Sequence, residues 1–185
     1  MKVKGSALAT IPEFIREQFG EESFSGWLEI LTPEAREVYE EPILNLRWFD
    51  VPTVLIEPME TLCERFYAGD PRGAWDAGRF SADKALRGIY RMMVKIGSPS
   101  WLIERTSRIM GMFYDEGQVD VIEENKKSGT SRLKGVSIVS PMIELRVGGF
   151  MERGLEISGA KNLRFDMPSS MTRGDPHTDY HFAWD

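Results

Sequence analysis

The last segment of the chain, Met171-Thr-Arg-Gly-Asp-Pro-His-Thr-Asp-Tyr-His-Phe-Ala-Trp184, constrains the fold most. Thr178, Tyr180, Phe182 and Trp184 alternate with His177, Asp179, His181 and Ala183. Period-two alternation with the rings on one side predicts a half-buried strand. Three aromatic rings on one face need a second layer to cover them, and the rest of the chain must supply it. Just upstream, Pro141–Gly159 carries Ile143, Val147, Phe150 and Met151 at helical spacing, and Leu163, Phe165 and Met167 alternate as a strand. The stretch Pro141–Asp185 therefore reads as one helix and a two-strand hairpin.

The covering layer is written in the first two thirds of the sequence. Ser, Thr or Asp stands directly before Pro at Thr32-Pro33, Asp70-Pro71, Ser98-Pro99 and Ser140-Pro141. Each pair predicts a helix start, because the first side chain caps free N–H groups and proline is favoured at the first helical position. Leu8, Ile11, Ile15 and Phe19 predict a helix closed by Gly20, with Pro12 confining it to about 12–19. A short helix is expected through Phe24, Trp27, Leu28 and Leu31. The stretch 43–54 reads as an extended linker that tucks its aromatics inward. Further helices are expected over about 53–68, over 71–78, over 81–96 with Ser81 as cap, and from Pro99 through Phe113. After Gly117 the period changes to two. Val119 and Val121, the turn Lys126-Lys127-Ser128-Gly129 and the run 133–139 predict a hairpin. The order is helices, then β-β-α-β-β. The expected fold class is α+β, a helical half of about 1–115 packed on an antiparallel sheet in 116–185, in a single domain of 1–185.

Totals narrow the function classes. A chain of 185 residues with 42% hydrophobic content can bury a core without staples. A net charge of −6 argues against a nucleic-acid binder. Cys63 is the sole cysteine, so no internal disulfide forms. The opening Met-Lys-Val-Lys-Gly begins no signal peptide, and no run is long enough to span a membrane. A cytoplasmic location is expected.

Three stretches carry a resemblance. They are the opening Lys4-Gly-Ser-Ala-Leu8 with Phe14, Ile15 and Gly20; the helix with Gly148, Gly149, Met151 and Gly154 running into Ile157-Ser-Gly-Ala160; and Arg173-Gly174-Asp175 before Tyr180 and Trp184. Together with the element order they resemble the ligand-binding fold of 4-vinyl reductase domains, heme nitric-oxide-binding (H-NOX) domains and TRAPP transport-particle subunits. Met171 and Thr178 stand where 4-vinyl-reductase-type domains commonly carry cysteines. The resemblance implies a dimer and a ligand between helices and sheet. The heme-binding branch uses an axial histidine in its helical half and a Tyr-x-Ser-x-Arg motif for the propionates. Here the histidines are His177 and His181, both near the C-terminus, and Thr130-Ser131-Arg132 is a remnant without the tyrosine. No cofactor is expected on this reading, and heme in particular is not.

Several constellations carry two readings each. His177, Asp179 and His181 project from one face of the last strand, a donor set suited to Zn, Ni or non-heme Fe. The same alternation turns that face to solvent, so the preferred reading is a solvated face with no metal. Lys84, Arg87, Arg91 and Lys95, with Arg105 and Arg108, form a basic stripe, read as the outer face of an amphipathic helix rather than a docking face for an anionic partner. Met93, Met110, Phe113, Phe150 and Met151 are the candidate lining of an apolar ligand pocket, against the alternative of an ordinary filled core. Gly148-Gly149 is expected to pack its helix closely on the sheet. Cys63 is read as buried and inert, and no hydrolase, metalloprotease or nucleotide-binding motif occurs. The expected function is a non-enzymatic ligand-binding or sensory domain, a homodimer taking a small apolar ligand or a protein partner. The alternatives are a dimeric scaffold subunit without ligand and, more weakly, a tetrapyrrole-processing enzyme.

Overall fold

The computed structural model describes residues 1–87, 99–103 and 106–185. The chain opens with strand β1 (Lys2–Lys4), which pairs antiparallel with β2 (Trp48–Asp50) and brings Val3 opposite Phe49. Between them run four helices: α1 (Gly5–Leu8), α2 (Thr10–Phe19), α3 (Glu21–Glu29) and α4 (Pro33–Glu40). Pro12 sits in the first turn of α2, where its missing N–H removes no helical bond. Thr32 caps α4 by accepting from the Ala35 N–H. The expected linker over 43–54 is in part β2 and in part helix. Phe49 turns inward as expected, whereas Leu46 is 82% exposed and Trp48 also faces outward.

A π-helical turn (Pro52–Ile56) leads into α5 (Glu57–Tyr67). Pro58 has no N–H to offer the Val54 carbonyl four residues back. That carbonyl instead accepts from the Tyr39 hydroxyl at 2.6 Å, and the Pro58 carbonyl accepts from Trp27 Nε1 at 3.2 Å. Two buried aromatics thus satisfy the backbone of an irregular turn. Cys63 lies on the buried face of α5, and burial pushes its thiol up to about 11, so it is protonated at neutral pH.

Helix α6 (Arg72–Arg87) is continuous where two shorter helices were expected. Ser81 is therefore mid-helix, and its hydroxyl turns sideways to Thr10 instead of capping. The region 88–98 lies outside the described residues. Helices α7 (Pro99–Ile103) and α8 (Thr106–Phe113) follow. The hairpin forms from β3 (Gln118–Asn125) and β4 (Ser128–Lys134), so its second strand begins earlier than expected. Helix α9 (Pro141–Ile157), capped by Ser140 on the Met142 N–H at 3.1 Å, precedes β5 (Arg164–Asp166) and β6 (Thr178–Ala183).

The sheet is antiparallel in the order β3-β4-β6-β5, which confirms the α+β class and places β6 between two strands. Tyr180, Phe182 and Trp184 are buried on the side that meets α9, and the Tyr180 hydroxyl donates to the Glu144 carbonyl at 3.0 Å. Across the other side of α9 lies α6, its most extensive packing partner. A Cβ on Gly149 would stand 2.1 Å from the Trp75 carbonyl oxygen, and one on Gly78 would stand 2.1 Å from that of Arg146. The glycines therefore bring α9 against α6, not against the sheet as expected. Ion pairs rim this crossing, Arg79 to Glu156 and Arg153 to Asp83, each at 2.9 Å.

Candidate functional site

A cavity of about 280 Å³ lies where α2, α6, α7, α8 and α9 meet the sheet. That is just below the roughly 300–1,000 Å³ of small-molecule sites. Its wall is largely apolar: Leu102 and Ile103 from α7, Ile109, Met110 and Phe113 from α8, Val147, Phe150, Met151 and Leu155 from α9, and Phe182 from β6. Four of the five expected lining residues, Met110, Phe113, Phe150 and Met151, meet here, and Phe113 and Phe150 pack edge to face with centroids 5.7 Å apart. Met93 lies outside the described residues.

The polar part of the wall was not foreseen. Thr10, Ser81 and Arg146 form a cluster on one side. The Thr10 and Ser81 hydroxyls are 2.6 Å apart, and Arg146 Nη2 donates to Ser81 Oγ at 3.0 Å, to Thr10 Oγ1 at 3.3 Å and to the Ala7 carbonyl. Arg146 is 4% exposed, and its Nε has no hydrogen-bond partner. The sequence did hold a signal. Arg146 shares a helical face with Ile143, Gly149 and Phe150, a cation set in an apolar stripe.

The other charged candidates are already engaged. Arg132, from the sequence Thr130-Ser131-Arg132, donates from Nε and Nη2 to the two oxygens of Asp179, both at 2.8 Å. This bidentate bond holds the Asp179 carboxyl below its usual range. His177 Nε2 lies 3.5 Å from the same carboxylate, and His181 Nδ1 lies 2.8 Å from Thr130 Oγ1. The face read as solvated is thus a half-buried ladder of pairs, because the Arg132 and Thr130 side chains of the neighbouring β4 meet Asp179 and His181 there. Among the described residues no group of three or more His, Cys, Asp or Glu is arranged to hold a metal ion. Lys84 is not the free outer face of its helix either, since it pairs with Glu13 at 3.1 Å and with Glu17. Arg108 is exposed, and Arg91, Lys95 and Arg105 lie outside the described residues.

Glu144, 2% exposed, is the second buried charge of α9. It accepts from Ser170 Oγ at 2.7 Å, from Thr172 Oγ1 at 2.6 Å and from Thr178 Oγ1, and it ties the loop before β6 to the helix. No helix among the described residues is long and apolar enough to cross a membrane.

The sequence matches no family model and no curated protein. Solved structures do match. An Fe(II) unliganded H-NOX protein from K. algicida aligns with a TM-score of 0.77 at 10% identity, over 98% of this chain and 96% of that one. An H-NOX protein from S. oneidensis in the Fe(II)NO state aligns with a TM-score of 0.77 at 11% identity, over 98% and 99%. The H-NOX domain of Shewanella oneidensis in the Fe(II)CO state gives 0.75 at 12% identity, over 98% of both chains. A further match, with a TM-score of 0.68 at 10% identity, bears on heme redox potential under porphyrin distortion.

This likeness overturns the expectation that heme has no place here, since the structures with this fold are of Fe(II) heme proteins in unliganded, NO and CO states. The expectation rested on a missing axial histidine and a missing Tyr-x-Ser-x-Arg propionate motif; histidine, however, is one of several axial ligands that iron accepts, and methionine and tyrosine are others. The wall supplies both in Met110, Met151 and Tyr114, within an apolar surround and beside the cation of Arg146, so its donor set suits the group. The fold of this chain is that of the H-NOX structures, matched over nearly its whole length.

Proposed function

We propose that this chain is a non-enzymatic sensory domain that holds heme in the cavity between its helices and its sheet. The observation that carries the reading is the cavity itself: an apolar site with sulfur and phenol donors, at the junction of the two halves of an H-NOX-like fold. Met110, Met151 or Tyr114 would ligate the iron, and Phe113 and Phe150 would close the apolar edge against water. Heme, when bound, supplies an open coordination position for a diatomic gas. The residues around it set the polarity of that position, and the wall here is largely apolar.

Hemin titration followed by absorbance tests this. The expected result is a Soret band that saturates at one heme per chain and shifts in one of the variants Met110→Leu, Met151→Leu or Tyr114→Phe. A titration that never saturates, or a band indifferent to all three, contradicts it.

The same proposal includes a homodimer, kinship of the tail with 4-vinyl-reductase-type domains, and a cytoplasmic setting, which suits a buried free thiol. Support for the dimer comes from Leu44, Leu46 and Trp48, a cluster of exposed apolar side chains near β2. Phe24 and Trp27 are buried and add nothing to this surface. Light scattering at tens of micromolar is expected to give a dimer mass; a monomer mass contradicts it.

A further inference from the structure

Arg146 stands apart from the other buried or half-buried arginines. Arg79, Arg132 and Arg153 each meet a carboxylate. Arg146 is more buried than they are, and no carboxylate among the described residues lies within ion-pair distance of it. A guanidinium offers five N–H donors on three nitrogens. Every hydrogen bond that Arg146 makes to a described residue leaves from Nη2, and each goes to a neutral oxygen. Nε is buried with no partner. Native structures rarely leave a buried donor idle or a buried cation without counter-charge, since both are costly. The fold does not hold Arg146 there by chance of a long side chain: Gly78 and Gly149 bring α6 and α9 so close that Ser81 and Arg146 must share the wall.

We infer that Arg146, with the hydroxyls of Thr10 and Ser81, is a carboxylate-recognition subsite inside the cavity, and that the ligand is an apolar body carrying a carboxylate. The guanidinium supplies the charge and the two-pronged geometry that carboxylates match. The hydroxyls can rotate to donate to the same oxygens. Around them, Leu102, Met110, Val147 and Leu155 accept the apolar body. Lys84, the other cation at the wall, does not compete for this role because Glu13 and Glu17 hold it. This inference rests on the cavity being a ligand site, and it adds the chemistry by which the ligand is recognised. The carboxylate has two possible sources, the acid side chain of a tetrapyrrole and the head of a long-chain fatty acid.

Two acid–neutral pairs of probes test it on the full chain: protoporphyrin IX against its dimethyl ester, and dodecanoate against dodecanol, each followed by tryptophan quenching. In the wild type one acid is expected to bind about tenfold or more tighter than its neutral partner, the scale of a charge-assisted hydrogen bond. The pair that shows the preference names the source. In Arg146→Met the preference is expected to vanish while the neutral probe binds at least as well as before. Arg146→Gln keeps a donor without the charge and should behave like Arg146→Met. If both variants melt too early to titrate, the wild-type comparison still decides. Equal binding of acid and ester overturns the inference and leaves the cavity reading standing, as does a preference that survives in Arg146→Met. No binding of any of the four probes overturns both.

Discussion

Glu144 and Arg146 stand two residues apart on α9, about 200° around the helix, and both are buried. One faces the loop that enters β6; the other faces the cavity. On the sheet side the buried charge is answered: three hydroxyls converge on the Glu144 carboxylate, and its backbone carbonyl takes the Tyr180 hydroxyl. On the cavity side Arg146 makes its bonds from one nitrogen and meets no counter-charge among the described residues. A buried charge that the fold satisfies is part of the scaffold. A buried charge that the fold leaves short is where a ligand fits.

The sheet side should therefore be the fragile one. Tyr180→Ala or Trp184→Ala removes a fully packed ring, and each is expected to cost about 3–5 kcal/mol. For a domain with ~5–15 kcal/mol of stability that leaves a poorly folded chain, measurable by chemical denaturation. Little loss in either variant would mean that α9 is not anchored by β6. Glu144→Ala should come next. It removes the acceptor shared by the Ser170, Thr172 and Thr178 hydroxyls, at about 3 kcal/mol in a denaturant melt. A loss smaller than that of Arg146→Met would reverse the comparison.

What the sequence disclosed follows the same division. The helix starts at Thr32 and Ser140 and the alternation of β6 were legible, because caps and periods are local. The continuity of α6 past Ser81 was not, since a serine in a helical run looks like a cap until Thr10 and Arg146 are seen to claim its hydroxyl. The three-residue β1 was missed because its partner lies more than forty residues away. The face with Asp179 was misread as solvated because sequence alternation does not say which side chain stands opposite on the next strand, here Arg132. Apolar lining at Met110, Phe113, Phe150 and Met151 was readable from spacing. Whether they enclose space was not. Arg146 stood out only as a cation in an apolar stripe, since its meaning depends on the counter-charge it lacks among the described residues.

Acid should erode the sheet side through Asp179. Arg132 holds its folded carboxyl below the ordinary aspartate value. Its contribution is complete above that ordinary value and is lost as pH falls through the lower folded one. Wild-type stability should decline on acidification below about pH 4, and Asp179→Asn should remove part of that slope. Parallel acid profiles of the two would contradict it. The smallest effect is expected on the cavity side. Arg146→Met should change the stability of the unliganded chain by less than about 1 kcal/mol, or raise it, because an unpaired buried charge is exchanged for apolar volume. A loss of several kcal/mol would make Arg146 a scaffold residue like Glu144.

The central claim is that the cavity side of α9 is built around a ligand. Native mass spectrometry of the full chain, as purified and after incubation with hemin, tests it most directly. The expected spectrum shows one small molecule retained per chain in the wild type, and a reduced bound fraction in Arg146→Met. A homogeneous ligand-free mass in both preparations would contradict the claim.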